Sequence, residues 1–387
     1  MCAWTLTWPA VCDRTYRSDF TDLFFIAGGF ALKLVNVIDT DAKLAALLET
    51  LRPAPWIALD TEADSLHAYP EKVCLIQVTS IAGDDLIDPL ADINLAPLFA
   101  FFGTHELLMH GADYDLRLLR KHHDFVPQAI FDTMLASRLL GVTQFGLIHL
   151  VSQYLGVTLD KGAQKADWAQ RPLTERMEIY ARNDTHYLKP LVDRLTTELS
   201  ARGRLAWQQE SCARLIVDCA QTRPPDPDLV WRIKGSNGLT RHALAVLREI
   251  WHWREAEAVA ANRPPYFILQ HEALLDLAAA AAAGRPVEPL VPRRFPERRR
   301  AALFHAIREG LAVPAQKRPE PLKQIFRRIN DATKRRATEL QKRRDDRATE
   351  LGIDPTLIAS RAVLLDLAEN WEAHQSELMN WQRELLK

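Results

Sequence analysis

The sequence has 387 residues, of which 48% are hydrophobic and 26% are charged, and its net charge is −1. This composition is typical of a soluble globular chain of two or three domains. The five cysteines form no CxxC or Cys/His pattern, and no apolar stretch approaches about 20 residues. The sequence therefore predicts no zinc site, no disulfide framework and no membrane span, and a cytoplasmic location is expected.

The first part of the chain reads as an extension followed by an α/β domain. Residues 1–34 carry mixed charge and lack a clear cleavage site, which favours an N-terminal extension over a signal peptide. A first strand is expected near Phe30–Val37. Alternating runs up to about residue 200 predict a mixed central sheet with flanking helices. The predicted strands are 56–61, 73–79, 84–87 and 106–110, and the predicted helices are 41–51, 113–122, 131–140 and 173–200.

A first pair of acids follows an apolar run that predicts a buried strand. Asp60 and Glu62 are two residues apart, so on an extended strand both side chains point to the same face. Their repulsion is unfavourable unless a cation lies between them. Asp64 follows after two more residues and is expected to be a loop acid.

Two further acids lie on predicted helices. In "LLMHGADYDLRLLRKH" (107–122), Asp115 shares a helix face with two leucines. In "ERMEIYARNDTHYLKPL" (175–191), Asp184 falls inside an apolar stripe, one turn after Tyr180. Pro190 predicts a kink or a break in this helix.

Each acid taken alone has an ordinary structural explanation, such as a strand-end acid, a helix cap or a satisfied core acid. Together they form three acidic groups at apolar ends or faces, without a dedicated lysine or arginine beside them. Oxygen ligands without nitrogen or sulfur suit Mg²⁺ or Mn²⁺. Four carboxylates would hold two such ions, the arrangement used for in-line phosphoryl displacement.

Four stretches carry a resemblance to a known family. "DTEADSLHAYPEKVCLIQVTS", "HGADYDLRLL", "FDTMLASRLLG" and "ADWAQRPLTERMEIYARNDTHYL" resemble the ribonuclease D family within the DEDD 3′→5′ exonucleases. The resemblance implies a ribonuclease H-like fold over residues 35–204 and two divalent metal ions, Mg²⁺ or Mn²⁺. The residues it implies as catalytic are Asp60, Glu62, Asp115, Tyr180 and Asp184, of which the four acids are the metal ligands.

Substrate contacts are less constrained by the sequence. Lys161 and Lys165 lie in the loop before the last exonuclease helix, where a lysine can hold a substrate phosphate. Position in the family favours Lys161, and a solvated loop lysine is the alternative. Trp168, in the same loop, is interpreted as a core residue that anchors the loop rather than as a stacking platform.

The second half of the chain reads as all-α. The proline-rich "TRPPDPDLVW" (222–231) predicts a linker, assigned to 205–227, with few rigid contacts between the halves. Residues 228–313 resemble an HRDC domain, and 314–387 resemble a second, diverged copy. Residues 285–350 contain 19 Lys/Arg and nine Asp/Glu, which indicates a polyanionic partner or, alternatively, a solvated helical surface.

The resemblance implies a 3′→5′ exoribonuclease that trims RNA 3′ ends, single-stranded or tRNA-like, by two-metal hydrolysis and releases 5′-nucleoside monophosphates. No obligate protein partner is inferred. DNA 3′→5′ exonuclease activity is the first alternative, because the acid set does not distinguish the two sugars. A non-catalytic nucleic-acid-binding protein is the second, which loss of any of the four acids would have favoured.

Overall fold

The computed structural model describes residues 37–222, 224, 226–322 and 329–387. The predicted extension 1–34 lies outside these residues, as does the first predicted strand except for Val37. Among the described helices, none combines the length and the apolar character needed to cross a bilayer.

The described strands form one six-stranded sheet, which confirms the predicted mixed sheet. The strands are β1 (Val37–Ile38), β2 (Ile57–Ala63), β3 (Val73–Ser80), β4 (Gly83–Ile87), β5 (Glu106–Met109) and β6 (Ala129–Asp132). Their spatial order is β1-β4-β3-β2-β5-β6. The β2–β3 and β3–β4 pairs are antiparallel, whereas β1–β4, β2–β5 and β5–β6 are parallel.

The centre of the sheet is buried on both faces. All eight residues of β3 are buried, and β2 begins with the three buried residues Ile57, Ala58 and Leu59. Helices cover both faces, so these strands read as continuous apolar runs rather than as alternating ones. The acids of β2 come where its apolar run ends, and a register irregularity between Glu62 and Ala63 ends the regular pairing with β3.

Eight helices are described before residue 222. Two of the four predicted helices differ from prediction, and the helices at 96–102, 147–155 and 205–220 were not predicted. The predicted helix 131–140 starts two residues late, because Asp132 ends β6 and caps the helix with its side chain. The predicted helix 173–200 is divided at Tyr187, and Pro190 lies in the first turn of the second part, where its missing N–H has no helical partner to lose. The helices are α1 (Asp41–Leu51), α2 (Ala96–Phe102), α3 (Asp113–His123), α4 (Thr133–Leu139), α5 (Leu147–Leu155), α6 (Glu175–His186), α7 (Leu188–Ala201) and α8 (Leu205–Ala220).

The last of these helices corrects the predicted linker. Residues 205–220 form α8, which packs against α3 and β6. Its Cys212 and Cys219 are buried in the same apolar cluster as Leu107 and Leu119 of the sheet domain. The prediction of a linker is therefore wrong for this stretch, because its apolar residues cover one end of the sheet.

The following helices surround a core of their own. Trp231, Leu244, Ile250, Leu277 and Leu303 are fully buried in this cluster. The helices are α9 (Arg241–Ala261), α10 (Pro265–Ile268), α11 (His271–Ala282) and α12 (Glu297–Ala312). Short 3₁₀ turns occur at Ser236–Gly238, Glu288–Leu290, Ala315–Lys317 and Gln375–Glu377.

The C-terminal helices share a core with the sheet domain. Ile358 and Leu364 lie in one apolar cluster with Leu139 and Leu188, and the rings of Trp207 and Trp381 stack with centroids 5.0 Å apart. The prediction of few rigid contacts between the two halves is wrong here, because these helices share one buried apolar cluster with α4, α5 and α7. They are α13 (Asp331–Leu351), α14 (Pro355–Ile358), α15 (Arg361–Glu369), α16 (Trp371–His374) and α17 (Asn380–Leu386).

Candidate active site

Three carboxylates meet where β2 passes under α6. Asp60 and Glu62 project from one face of β2, and α6 packs against β2, β3 and β4 so that its Asp184 faces them. One oxygen from each of the three side chains can be chosen so that all lie within 4.8 Å of one another. The structure therefore brings together three of the four predicted ligands as one compact set of oxygens.

The fourth acid belongs to the same cavity but has its own partner. Asp115 lies in the first turn of α3, which directly follows β5, the parallel neighbour of β2. The Thr61 hydroxyl donates a hydrogen bond of 2.5 Å to Asp115 Oδ1. Sequence reasoning did not single out Thr61, although a polar residue between two acids of a buried strand was a usable signal.

Tyr180 lies one helical turn before Asp184 on α6, and both residues line the same cavity. The ring of Trp168 packs beside it, with the ring centroids 6.0 Å apart and the planes inclined by 43°. Trp168 is fully buried, in agreement with its interpretation as an anchor of the loop. The packing of Trp168 thereby holds the Tyr180 ring at the wall of the cavity that the acids line.

A cavity of about 540 Å³ opens onto these side chains. The four acids and Tyr180 line it, and Lys161 reaches its wall from the loop before α6. Asp64, in contrast, is fully buried. Its carboxylate accepts a hydrogen bond of 2.8 Å from the Lys72 backbone N–H and forms an ion pair with the Lys72 ammonium group. Asp64 is therefore a structural acid of the loop, as expected.

The carboxyl groups repel one another strongly in this desolvated site. Burial, together with the neighbouring acids, raises the pKa of Asp60 well above its usual range and that of Glu62 to about 9. Burial also raises the pKa of Asp115 to about 6 and that of Asp184 to about 7. Among the described residues, no cationic side chain is a main influence on these four pKa values. Desolvated oxygens without a cationic partner fit a hard divalent cation.

Comparison with known proteins agrees with this geometry. A 3′-5′ exonuclease family model matches residues 35–200, and an HRDC domain model matches residues 243–283. Ribonuclease D of Granulibacter bethesdensis is 30% identical over 372 residues, an alignment that covers 90% of each chain. The chain belongs to the ribonuclease D family.

Other relatives align with this chain over different lengths. Ribonuclease D of Gluconacetobacter diazotrophicus is 35% identical over 254 residues, which is 64% of this chain and 63% of that protein. The crystal structure of Escherichia coli RNase D, described as an exoribonuclease involved in structured RNA processing, has 26% identity and a TM-score of 0.70. That match covers 91% of this chain and 98% of the other.

Membership of the ribonuclease D family implies a divalent metal, and the acids described above are suited to bind one.

The catalytic core of RRP6 from Trypanosoma brucei is also similar to this chain, with 26% identity, a TM-score of 0.60, and coverage of 73% of this chain and 81% of the other. The match to the HRDC model lies inside the predicted range 228–313 and corresponds to α9 to α11.

Proposed function

We propose that this protein is a 3′→5′ exoribonuclease that removes nucleotides from RNA 3′ ends and releases 5′-nucleoside monophosphates. The observation that carries the proposal is the group of Asp60, Glu62 and Asp184 oxygens within 4.8 Å, in one cavity with Asp115 and Tyr180. Family membership supports the same activity.

Asp60, Glu62, Asp184 and Asp115 would hold two divalent ions, Mg²⁺ or Mn²⁺. When bound, such ions lower the pKa of a water nucleophile and stabilise negative charge on the leaving 3′ oxygen. Asp60 and Glu62 orient their oxygens from a rigid central strand, and Asp184 completes the set from α6. The Thr61 hydroxyl fixes the Asp115 carboxylate in its orientation.

Two further side chains contribute groups that the acids cannot supply. The Tyr180 hydroxyl, in the same cavity as the acids, orients the attacking water or helps to deprotonate it. Lys161, on the cavity wall, contacts a phosphate of the substrate. The proposed substrate is RNA, either single-stranded or with a tRNA-precursor-like 3′ end, and no obligate protein partner is part of the proposal.

The proposed domains are an extension at 1–34, the exonuclease domain and two HRDC-like domains. The exonuclease domain, predicted to end at 204, extends through α8, because α8 covers the sheet. A shared element order supports the diverged copy after residue 314. In both regions a 21-residue helix ends at a left-handed residue, Asn262 or Gly352, and is followed by a four-residue helix that begins with proline.

A direct experiment separates this proposal from its alternatives. End-labelled single-stranded RNA and DNA of the same sequence are digested by the wild type and by Asp184→Asn, with Mg²⁺, with Mn²⁺ and with EDTA. We expect stepwise shortening of RNA from its 3′ end, which requires metal and Asp184. Faster digestion of DNA would support the DNA exonuclease, and binding without cleavage would support the non-catalytic protein.

A further inference from the structure

The first helical domain contacts the loop that leaves the catalytic strand. The Tyr69 hydroxyl donates a hydrogen bond of 2.6 Å to Glu255 Oε2, and the Tyr69 backbone N–H donates one of 3.3 Å to Asn262 Oδ1. The Tyr266 hydroxyl donates a hydrogen bond of 3.3 Å to the Leu66 carbonyl oxygen. α10 is thereby tied to a point only four residues after Glu62.

Two large aromatic side chains of this helix face solvent. Tyr266 and Phe267 are 40% and 47% exposed, and their ring centroids are 4.6 Å apart with the planes inclined by 35°. Ile268 and Leu269, which follow, are buried and fix α10 to the core of the domain. The exposed faces of the two rings are thus held on a rigid base.

The exposed aromatic surface continues to the catalytic cavity. Leu66, which accepts the Tyr266 hydrogen bond, lines the cavity and is itself exposed. Tyr114, also exposed, lines the cavity beside it. We call Tyr114, Leu66, Tyr266 and Phe267 the aromatic strip. It runs from the wall of the catalytic cavity onto α10.

One basic side chain lies beside the strip. Arg263, between Asn262 and α10, is exposed. Among the acids near this face, Glu255 pairs with Arg254 and Glu71 pairs with Lys121, whereas the exposed Glu272 lies in a pocket with Tyr266. A single-stranded nucleic acid offers bases for the rings and phosphates for the arginine.

We propose that the aromatic strip binds the bases of the nucleotides upstream of the scissile bond, while the 3′ end occupies the catalytic cavity. This inference rests on the proposed function and adds the path of the substrate. Removing a stacking ring costs about 5- to 150-fold in affinity per base. The helical domain therefore selects for single strands long enough to reach α10.

The test compares two substrate lengths in the full-length protein. Binding of a fluorescent oligonucleotide is measured with EDTA in the wild type, Tyr266→Ala and Phe267→Ala, and metal-dependent cleavage of an RNA dinucleotide is measured in parallel. We expect each alanine variant to bind the long strand about 5- to 150-fold more weakly. Dinucleotide cleavage should not change, because a dinucleotide stays within the cavity.

Two matched variants serve as controls. Tyr266→Phe keeps the ring and removes only the hydrogen bond to Leu66, so it should retain affinity for the long strand. Val259→Ala removes an even more exposed apolar side chain, 55% exposed, from α9 of the same domain and should have no effect.

Three results would overturn the inference. Unchanged long-strand affinity in both alanine variants would exclude stacking on α10. An equal loss for both substrate lengths would show that the rings support the shape of the cavity. If sedimentation shows that the wild type is a dimer and that the alanine variants are monomers, the strip is an interface with a second copy of the chain. If the wild type cleaves no substrate, the proposed function fails, and the EDTA binding measurement still tests the strip.

Discussion

Gly162 lies directly against the ring of Tyr180. A Cβ atom on Gly162 would be 2.9 Å from Tyr180 Cδ2, and the backbone there has a φ of +38°. The loop that carries Lys161 and Trp168 therefore packs closely on the tyrosine because glycine is present.

Gly162→Ala should displace Tyr180 from Asp184 while the acids remain in place. A misplacement of about 1 Å at a catalytic group can cost about 10²-fold, so we expect a loss of that order in the single-turnover rate. Mn²⁺ binding, measured by calorimetry, should be retained. Gly156→Ala is the matched control, because Gly156 also has a positive φ of 71° but a Cβ there would meet nothing within 4 Å. If both variants lose the single-turnover rate equally, the cause is backbone strain alone and not contact with Tyr180.

Tyr180→Phe removes the hydroxyl and leaves the ring packed against Trp168. A group that orients or deprotonates the nucleophile is typically worth about 10²–10⁴-fold, and we expect the rate of RNA shortening to fall within that range. Affinity for metal and RNA should stay close to that of the wild type. A rate loss below about threefold would identify Tyr180 as a packing residue and contradict its proposed role.

The stability of the metal-free protein should fall as pH rises. Folding raises the pKa of Glu62 from 4.5 to about 9 and that of Asp184 from 3.8 to about 7. Because the folded state binds these protons more tightly, the stabilisation that they provide is lost as pH rises through these values. In EDTA, Tm should therefore decrease between about pH 5 and pH 9, and saturating Mn²⁺ should raise Tm more at the upper end.

Asp184→Asn provides the control for this experiment, because it removes one of the repelling charges and keeps the shape. The metal-free variant should have a higher Tm than the metal-free wild type above about pH 7, together with a smaller gain from Mn²⁺. A variant as sensitive to pH and to Mn²⁺ as the wild type would argue against Asp184 as a ligand.

Arg293 and Arg294 are exposed on the first helical domain and belong to the basic segment 285–350. If both contact phosphates, changing them to glutamine should reduce the slope of log K against log salt for single-stranded RNA by about 1.4. Lys334→Gln is the control, because Lys334 pairs with Asp331 on α13. An unchanged slope in the double variant would mean that these arginines belong to a solvated surface.

Trp381→Ala should destabilise the exonuclease domain, although the residue lies far along the chain. Trp381 is buried and stacks on Trp207 of α8, so we expect a loss of about 3–5 kcal/mol in the free energy of unfolding. Val217→Ala, an exposed change on α8, serves as the control.

A fragment that ends at residue 204 lacks α8 and α13 to α17 and should be poorly soluble. A stable, active fragment would contradict the importance of the shared core.

The sequence predicted the grouping of the acids more completely than the packing around them. Asp60, Glu62 and Asp184 could be placed because strand alternation and helical spacing fix which face a side chain occupies. The partner of Asp115 is not part of such a pattern, since the Thr61 hydrogen bond depends on how α3 crosses β2.

The errors concern contacts between distant segments. Most residues of α8 are apolar, but the residues that the fold buries are Gln208, Cys212 and Cys219, so the pattern there did not indicate which surface the helix covers. The apolar faces of α13 to α17 were visible, but a periodic face does not say which surface it packs against. Stacking of Trp207 on Trp381 is a property of the folded chain alone.

The shared core also affects when the protein becomes complete during its synthesis. The apolar faces of α4, α5 and α7 remain uncovered on a growing chain until the region of Trp381 and Leu386 has left the ribosome. α7 directly follows α6, which carries Asp184. The order of translation therefore delays completion of the shared core, next to the helix that carries Asp184, until after residue 386 has emerged.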